Sequence, residues 1–393
     1  MQIYNAIIYP LSNSANYEYH FLGYISWENG VITEIAEGAP SIIEPNAINA
    51  NEKILLPGLI DAHSHLGMIG DSLGFESDDV NEDSDPITPH LRALDAINPF
   101  DRGFCDARQA GITTVVTGPG SANAIGGTLT AIKTAGLRAD DMLIKESLAM
   151  KFALGENPKG CYHQKSSGPE TRMASAALIR EALYKAKRYL NDLEDYNANK
   201  EENSPPEYDA KCEALLPLLR REMQAHFHAH RADDICTAIR IAKEFNLDYR
   251  LVHCTEGHMI APLLESEHTG AFLGPFFSSR SKPELANETD GNAALLSNHN
   301  IPVAIVTDHP ELPQQFLLLS AALAAKNGLP NGLALASITA IPAQLLGLEK
   351  RIGSLKVGLD ADFALYDGDP FDFFTKVKTV WINGQEIKKQ KRL

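Results

Sequence analysis

Apolar positions in this chain come in short runs separated by turn residues and longer mixed stretches. Near the start, Ile3-Tyr4-Asn5-Ala6-Ile7-Ile8-Tyr9 and Gly23-Tyr24-Ile25-Ser26-Trp27 are rich in β-branched and aromatic residues, and Asn29-Gly30 before Val31-Ile32-Thr33-Glu34-Ile35 is a hairpin signal. The far end repeats the pattern in Asp362-Phe363-Ala364-Leu365-Tyr366, Val377-Lys378-Thr379-Val380-Trp381-Ile382 and the turn Asn383-Gly384. Neither end holds enough apolar material to bury a core alone. The two are therefore expected to build one small β-sandwich from residues 1–56 and 345–393.

The segment between, residues 57–344, alternates apolar runs with helix-like stretches. Strands are predicted near 58–62, 112–116, 126–132, 147–151, 223–228, 249–253, 271–273 and 301–307, with helical periodicity at 175–190, 232–245 and 313–326. Eight strands in a βα rhythm predict an α/β fold, a closed parallel (β/α)8 TIM barrel, with a doubly wound sheet as the alternative. An insertion at about 155–222 interrupts the rhythm, and its charged tract at 191–211 is expected to be a solvated loop.

Charge narrows the partners. Acidic residues outnumber basic ones 51 to 35, a formal net charge of −16, which excludes nucleic acid or an anionic membrane as the main partner. The one basic cluster, Lys388-Lys389-Gln390-Lys391-Arg392, reads as a solvated tail. The expected partner is a small-molecule substrate, with homo-oligomerisation open. The five cysteines include no CxxC pair, and no basic segment followed by an apolar one stands at the start, so a cytoplasmic location is expected.

Ligand-capable residues stand where the apolar strands end: His63 and His65, Lys151, His228, His253 and Asp308. His63 and His65 are spaced i, i+2, which on a strand puts both imidazoles on one face. In a barrel these ends share the rim that carries active sites. Three or four imidazoles and a carboxylate suit zinc or a similar divalent metal.

The order His63-x-His65, Lys151, His228, His253, Asp308 resembles the amidohydrolase superfamily. So do the entry Pro57-Gly58-Leu59-Ile60-Asp61-Ala62-His63 and the exit Gly353-Ser354-Leu355-x-x-Gly358-x-x-Ala361-Asp362-Phe363. The nearest likeness is to imidazolonepropionase-related amidohydrolases, a group that includes Xaa-Pro-type dipeptidases. The resemblance implies a distorted barrel binding one or two divalent ions, zinc above all. His63, His65 and Asp308 would hold the first, His228 and His253 the second, and a carboxylated Lys151 would bridge them. His226, His228 and His230 share one strand face, and His228-Ala229 matches the superfamily's usual His-Ala. The implied reaction is hydrolysis of a C–N bond in a small polar amide or cyclic amide, with metal-activated hydroxide as the nucleophile. Asp308 would shuttle the proton, and His253 would help polarise the carbonyl. A dipeptidase or N-acyl amino acid deacylase is an alternative, and a catalytically idle barrel acting as a binding subunit is another.

Weaker signals surround this set. The run Thr117–Gly127 matches no phosphate-binding motif and reads as a tight loop at the site. Glu156 is placed to line the site; Arg172, Arg231, Arg280 and Lys282 stand on or near rim loops, where each by itself reads first as a solvated surface charge and otherwise as a grip for a substrate carboxylate. His258 and His309 flank proposed ligands and are expected either to support those ligands from behind or to stand near the substrate.

Overall fold

The computed structural model describes residues 1–70, 74–277 and 279–388. The basic cluster from Lys389 onward lies outside them. The apolar runs at the two chain ends pair with each other. Strand Phe363–Tyr366 lies antiparallel to Ile54–Pro57, which is parallel to Gln2–Ile8, and the hairpin Phe21–Glu28 and Val31–Glu37 completes that edge. The sheet curls until its distant strands meet. Trp27 packs edge-on against Trp381 and Phe363, with ring centroids 6.2 and 5.0 Å apart, and the Trp27 indole N–H donates to the Gly384 carbonyl at 2.9 Å.

The barrel holds eight strands in sequence order: Leu59–Ser64, Ile112–Thr117, Ile125–Lys133, Leu143–Ala153, Gln224–Ala229, Tyr249–His253, Ala271–Leu273 and Val303–Ile305. The first two are buried at every position, as strands covered on both faces must be. The third strand departs from the all-parallel expectation, pairing antiparallel with both neighbours. Its connections explain this. Residues 118–124 leave room for a hairpin loop and not for a crossover helix, which needs a dozen residues or more. Its first residues therefore stand at the active rim, where Gly127 pairs with Lys151. Gly127 has φ +125°, and a Cβ there would lie 2.6 Å from the Leu91 carbonyl oxygen, so only glycine fits.

The other end of the third strand fastens the barrel to the terminal sheet. Lys133, 3% exposed, bonds Asp360 at 2.9 Å and Asp362 more closely still. The exit motif is thus a buried ion cluster between the two units. On the opposite side, backbone bonds from Asp308 N–H to the His63 carbonyl (3.1 Å) and from His65 N–H to the His309 carbonyl (2.8 Å) tie the eighth strand's end to the first.

The insertion is mostly helical. Helix Arg172–Ala198 runs well into the tract expected to be loop: the buried stripe of Ile179, Leu183, Ala186 and Tyr189 is continued at helical spacing by Leu190 and Leu193, which pack partly buried against the core. Helix Ala210–Leu219 starts at Asp209, whose carboxylate accepts from Lys211 N–H (2.9 Å) and Cys212 N–H (3.0 Å) and pairs with Lys185 at 2.6 Å. The Lys185 bond, with the backbone donors, holds its pKa down at about 2, below the ordinary 3.8. A depressed pKa contributes stability above the unfolded value and loses it as the pH falls through the folded one. Asp209→Ala should cost about 1 kcal/mol near neutral pH, measured by urea unfolding, with the difference from the native chain vanishing towards pH 2. An unchanged midpoint at pH 7 would remove Asp209 as an important cap. Among the described residues no helix is long and apolar enough to cross a membrane.

Candidate metal centre

The first barrel strand delivers His63 and His65 to the rim, both with the ring aimed at Asp308. Asp308 Oδ1 lies 3.4 Å from His63 Nε2 and 3.3 Å from His65 Nε2. Asp308 sits just past the eighth strand with φ +54°, and His253 and Cys254, at the end of the sixth, have φ +69° and +46°. Left-handed backbone at non-glycine residues is uncommon and costs energy. Here it turns two ligand-type side chains into the barrel mouth.

A second group forms beside the first. His228, His230 and His253 are all buried, and their ligand-type atoms lie within 4.8 Å of one another; the same limit holds for His63, His65 and Asp308. His230 stacks on His253 with centroids 4.5 Å apart, and His63 meets His253 edge-on at 5.7 Å. The strand-five histidines thus divide. His228 and His230 both join the cluster, whereas His226 lies deeper, bonded to Gln224 Oε1 at 3.1 Å and tilted against Phe272. Lys151 Nζ is 3.0 Å from His63 Nε2.

The outer ring nitrogens support metal binding. His65 Nδ1 donates to the Gly118 carbonyl (2.6 Å), and His253 Nδ1 donates to the Gly274 carbonyl (2.7 Å). His230 Nδ1 bonds the Thr255 hydroxyl at 2.8 Å. A carbonyl can only accept, so in His65 and His253 Nδ1 carries a proton and Nε2 faces inward, where a metal would displace the proton that His65 Nε2 otherwise shares with Asp308. This is the arrangement that orients histidine ligands on a metal. Two groups of three convergent nitrogen and oxygen donors fit a borderline divalent ion.

Burial sets the protonation states. It drives the pKa of His63 well below 6.5, with Lys151 adding to the effect, and it lowers His228, His230 and His253 in the same direction. Burial also brings the Lys151 ammonium down to about 8 against the opposing pull of Asp308. Asp308 goes the other way: burial would raise it, but His253 and the bonds from His63 and His65 hold it well below the carboxylate range. Asp61, in the entry motif, is fully buried and raised to about 7 by desolvation, against bonds from the Thr307 hydroxyl and N–H. It ties the first strand to the residue preceding Asp308.

The donors open onto a cavity of about 670 Å³, walled in part by Glu156, Asn157, Ser121 and Lys282. Glu156 thus stands where expected. Arg172 does not; it pairs with Asp234 and Asp233, each at 2.7 Å. Arg231 likewise pairs with Asp233, at 2.9 Å. Arg280 lines an adjoining cavity with Thr289 and Asp290, which shares Phe277 and Glu288 with the first. His258 lies off this wall, its backbone N–H bonded to Asn292 Oδ1 at 3.1 Å. The ring of His309 turns towards helix Arg102–Gln109, its Nε2 3.4 Å from where a Cβ on Gly103 would stand.

Glu284 escaped the sequence reading. It is 2% exposed; Oε2 accepts Glu156 N–H at 3.1 Å, and Oε1 lies 3.7 Å from His230 Nε2. It falls in a single 3-10 turn, Pro283–Leu285, too short for a periodicity to mark it.

The profile of the Amidohydrolase family matches residues 54–387, which spans the whole barrel and the strands that flank it. The chain belongs to the amidohydrolase family. It is 32% identical over 389 residues to Amidohydrolase tasK of Hapsidospora irregularis, matching 93% of this chain, and it spans about 40% of that relative's length. An amidohydrolase from Thermotoga maritima MSB8 superposes with a TM-score of 0.93 at 36% identity, over 99% of this chain and 100% of that one. A β-aspartyl dipeptidase from Fervidobacterium islandicum AW-1 shares the fold alone, at TM-score 0.59 and 16% identity over 100% of this chain and 98% of the other.

Proposed function

We propose that this chain hydrolyses an amide or cyclic-amide C–N bond in a small polar substrate bound in the rim cavity. The observation that carries this reading is that two adjoining donor groups reach one cavity, which His65 and Asp308 of the first and His228 and His230 of the second line. Bound zinc would supply an acidified water and a Lewis acid for the scissile carbonyl. His63, His65 and Asp308 would hold one ion, and His228, His253 and a carboxylated Lys151 a second, with His230 an added donor. Carboxylation joins carbon dioxide to the neutral amine and releases a proton, so the burial that brings Lys151 to about 8 favours the reactive form.

The rest falls to the chain's own side chains. Asp308, held ionised by its histidine neighbours, takes a proton from the attacking water and delivers it to the leaving nitrogen. The carbonyls of Gly118 and Gly274 keep His65 and His253 in the tautomer the site needs. The burial of these side chains lowers the local dielectric and strengthens each of these interactions. The experiment is a hydrolysis screen of zinc-supplemented protein against dipeptides, N-acyl amino acids and cyclic ureides, with metal content measured in parallel. Turnover with at least one equivalent of metal is the expected result. Less than one equivalent and no turnover would favour an idle barrel that serves as a binding subunit.

A further inference from the structure

The cavity wall is lopsided in charge. Among the described residues it carries five carboxylate side chains, Asp78, Glu156, Glu288, Asp308 and Glu311, but one lysine or arginine, Lys282. The Lys282 ammonium bonds the neutral Asn157 side-chain carbonyl at 3.0 Å, and no carboxylate of the described residues stands within 4.0 Å of it. A half-buried cation so placed has given up part of its hydration, and the carboxylate that feels its charge, Glu284, lies beyond 4.0 Å, so an arriving anion would find the ammonium without a direct ion pair.

Its position is fixed from two sides. Pro283 follows it directly, and the next residue, Glu284, is pinned in the interior by its bond to Glu156 N–H. Asn157 in turn reaches the Ser121 hydroxyl at 2.6 Å and lies 3.5 Å from His228 Nε2. One side chain therefore separates the ammonium from the histidine cluster, and the charge of Lys282 is felt at His230 and His253. A carboxylate held by Lys282 would sit within a few bond lengths of a C–N bond presented to that cluster. The remaining acidic wall disfavours a second anionic group.

We propose that Lys282 binds the carboxylate of the substrate, making the substrate class amides of amino acids, such as N-acyl amino acids or dipeptides, rather than neutral cyclic amides. This rests on the C–N hydrolysis reading above. The test uses matched pairs of N-acetyl amino acids and dipeptides with their C-terminal amides, on zinc-loaded native, Lys282→Met and Lys282→Arg proteins.

The native chain should prefer the free acids by on the order of 10²-fold in kcat/KM. Lys282→Met should bring the acid-to-amide ratio close to one, and Lys282→Arg should keep most of the preference. Equal native rates on acids and amides, or a preference that survives in Lys282→Met, would overturn the proposal. Calorimetric binding of N-acetylglycine separates the two readings. If nothing is hydrolysed but N-acetylglycine binds the native protein and not Lys282→Met, the anion site stands and the hydrolysis reading falls. Binding that is absent, or indifferent to Lys282, overturns the anion site.

Discussion

Asp308→Asn should lower kcat by about 10²–10⁴-fold, the usual loss when a general base is removed. The substitution keeps the size of the side chain and one oxygen donor, so the fold and much of the metal content should persist. What disappears is a carboxylate poised between His63 and His65 and kept ionised by them and by His253. The backbone should tolerate the change, since Asn adopts positive φ at least as readily as Asp and the φ of +54° can be kept. Steady-state kinetics with metal analysis checks this. If the variant turns over at more than a tenth of the native rate, proton transfer belongs elsewhere. Glu156, on the cavity wall, is then the next candidate, because the His309 ring turns away towards helix Arg102–Gln109.

Lys151→Ala should have a comparable effect by another route. If Lys151 carries a carboxylate that bridges two ions, its removal should lower the metal content from two equivalents towards one. Activity should drop by at least about 100-fold, beyond what the loss of a residue behind the ligands costs. Acetate or propionate should restore part of both, because a free carboxylate can occupy the space the side chain leaves. Lys151 is 1% exposed and packed among imidazoles, so this space is enclosed. A variant with full metal content and full rate would exclude Lys151 from the centre. Metal loss without chemical rescue would mean that the lysine acts as an ammonium beside His63.

The histidine pairs were legible because their signal is local. A period of two on an apolar strand is enough to aim His63 and His65 one way, and the same parity put His226, His228 and His230 on one face. Parity could not divide those three. That division comes from depth in the barrel: the Thr255 hydroxyl and the His253 ring engage His230, while Gln224 and Phe272 hold His226 below. The charged candidates separated for a related reason. Arg172 and Arg231 have acidic partners on helix Ala232–Glu244, whereas Lys282 has none within 4.0 Å among the described residues. Ion pairing depends on what the fold brings alongside, and a linear pattern of charges carries no record of it. The third barrel strand was similar. Its apolar run was visible, but its direction depended on how few residues separate it from its neighbours once the true strand ends are known.

The amino-acid sequence by itself determined the α/β class, the pairing of the two chain ends and the ordered set of ligand-type residues at strand ends. These follow from hydrophobic period, turn chemistry and short motifs, all of which act over a few residues. Only the tertiary structure decided that the third strand runs backwards, that His230 joins the cluster and that Glu284 lies buried behind it. It also decided that Lys282 faces the cavity with no carboxylate of the described residues within 4.0 Å. Apart from the strand direction, which a short connection sets, these depend on residues tens to hundreds of positions apart meeting at one rim. Barrel closure between the first and eighth strands, with its left-handed turns at His253 and Asp308, is what brings them there.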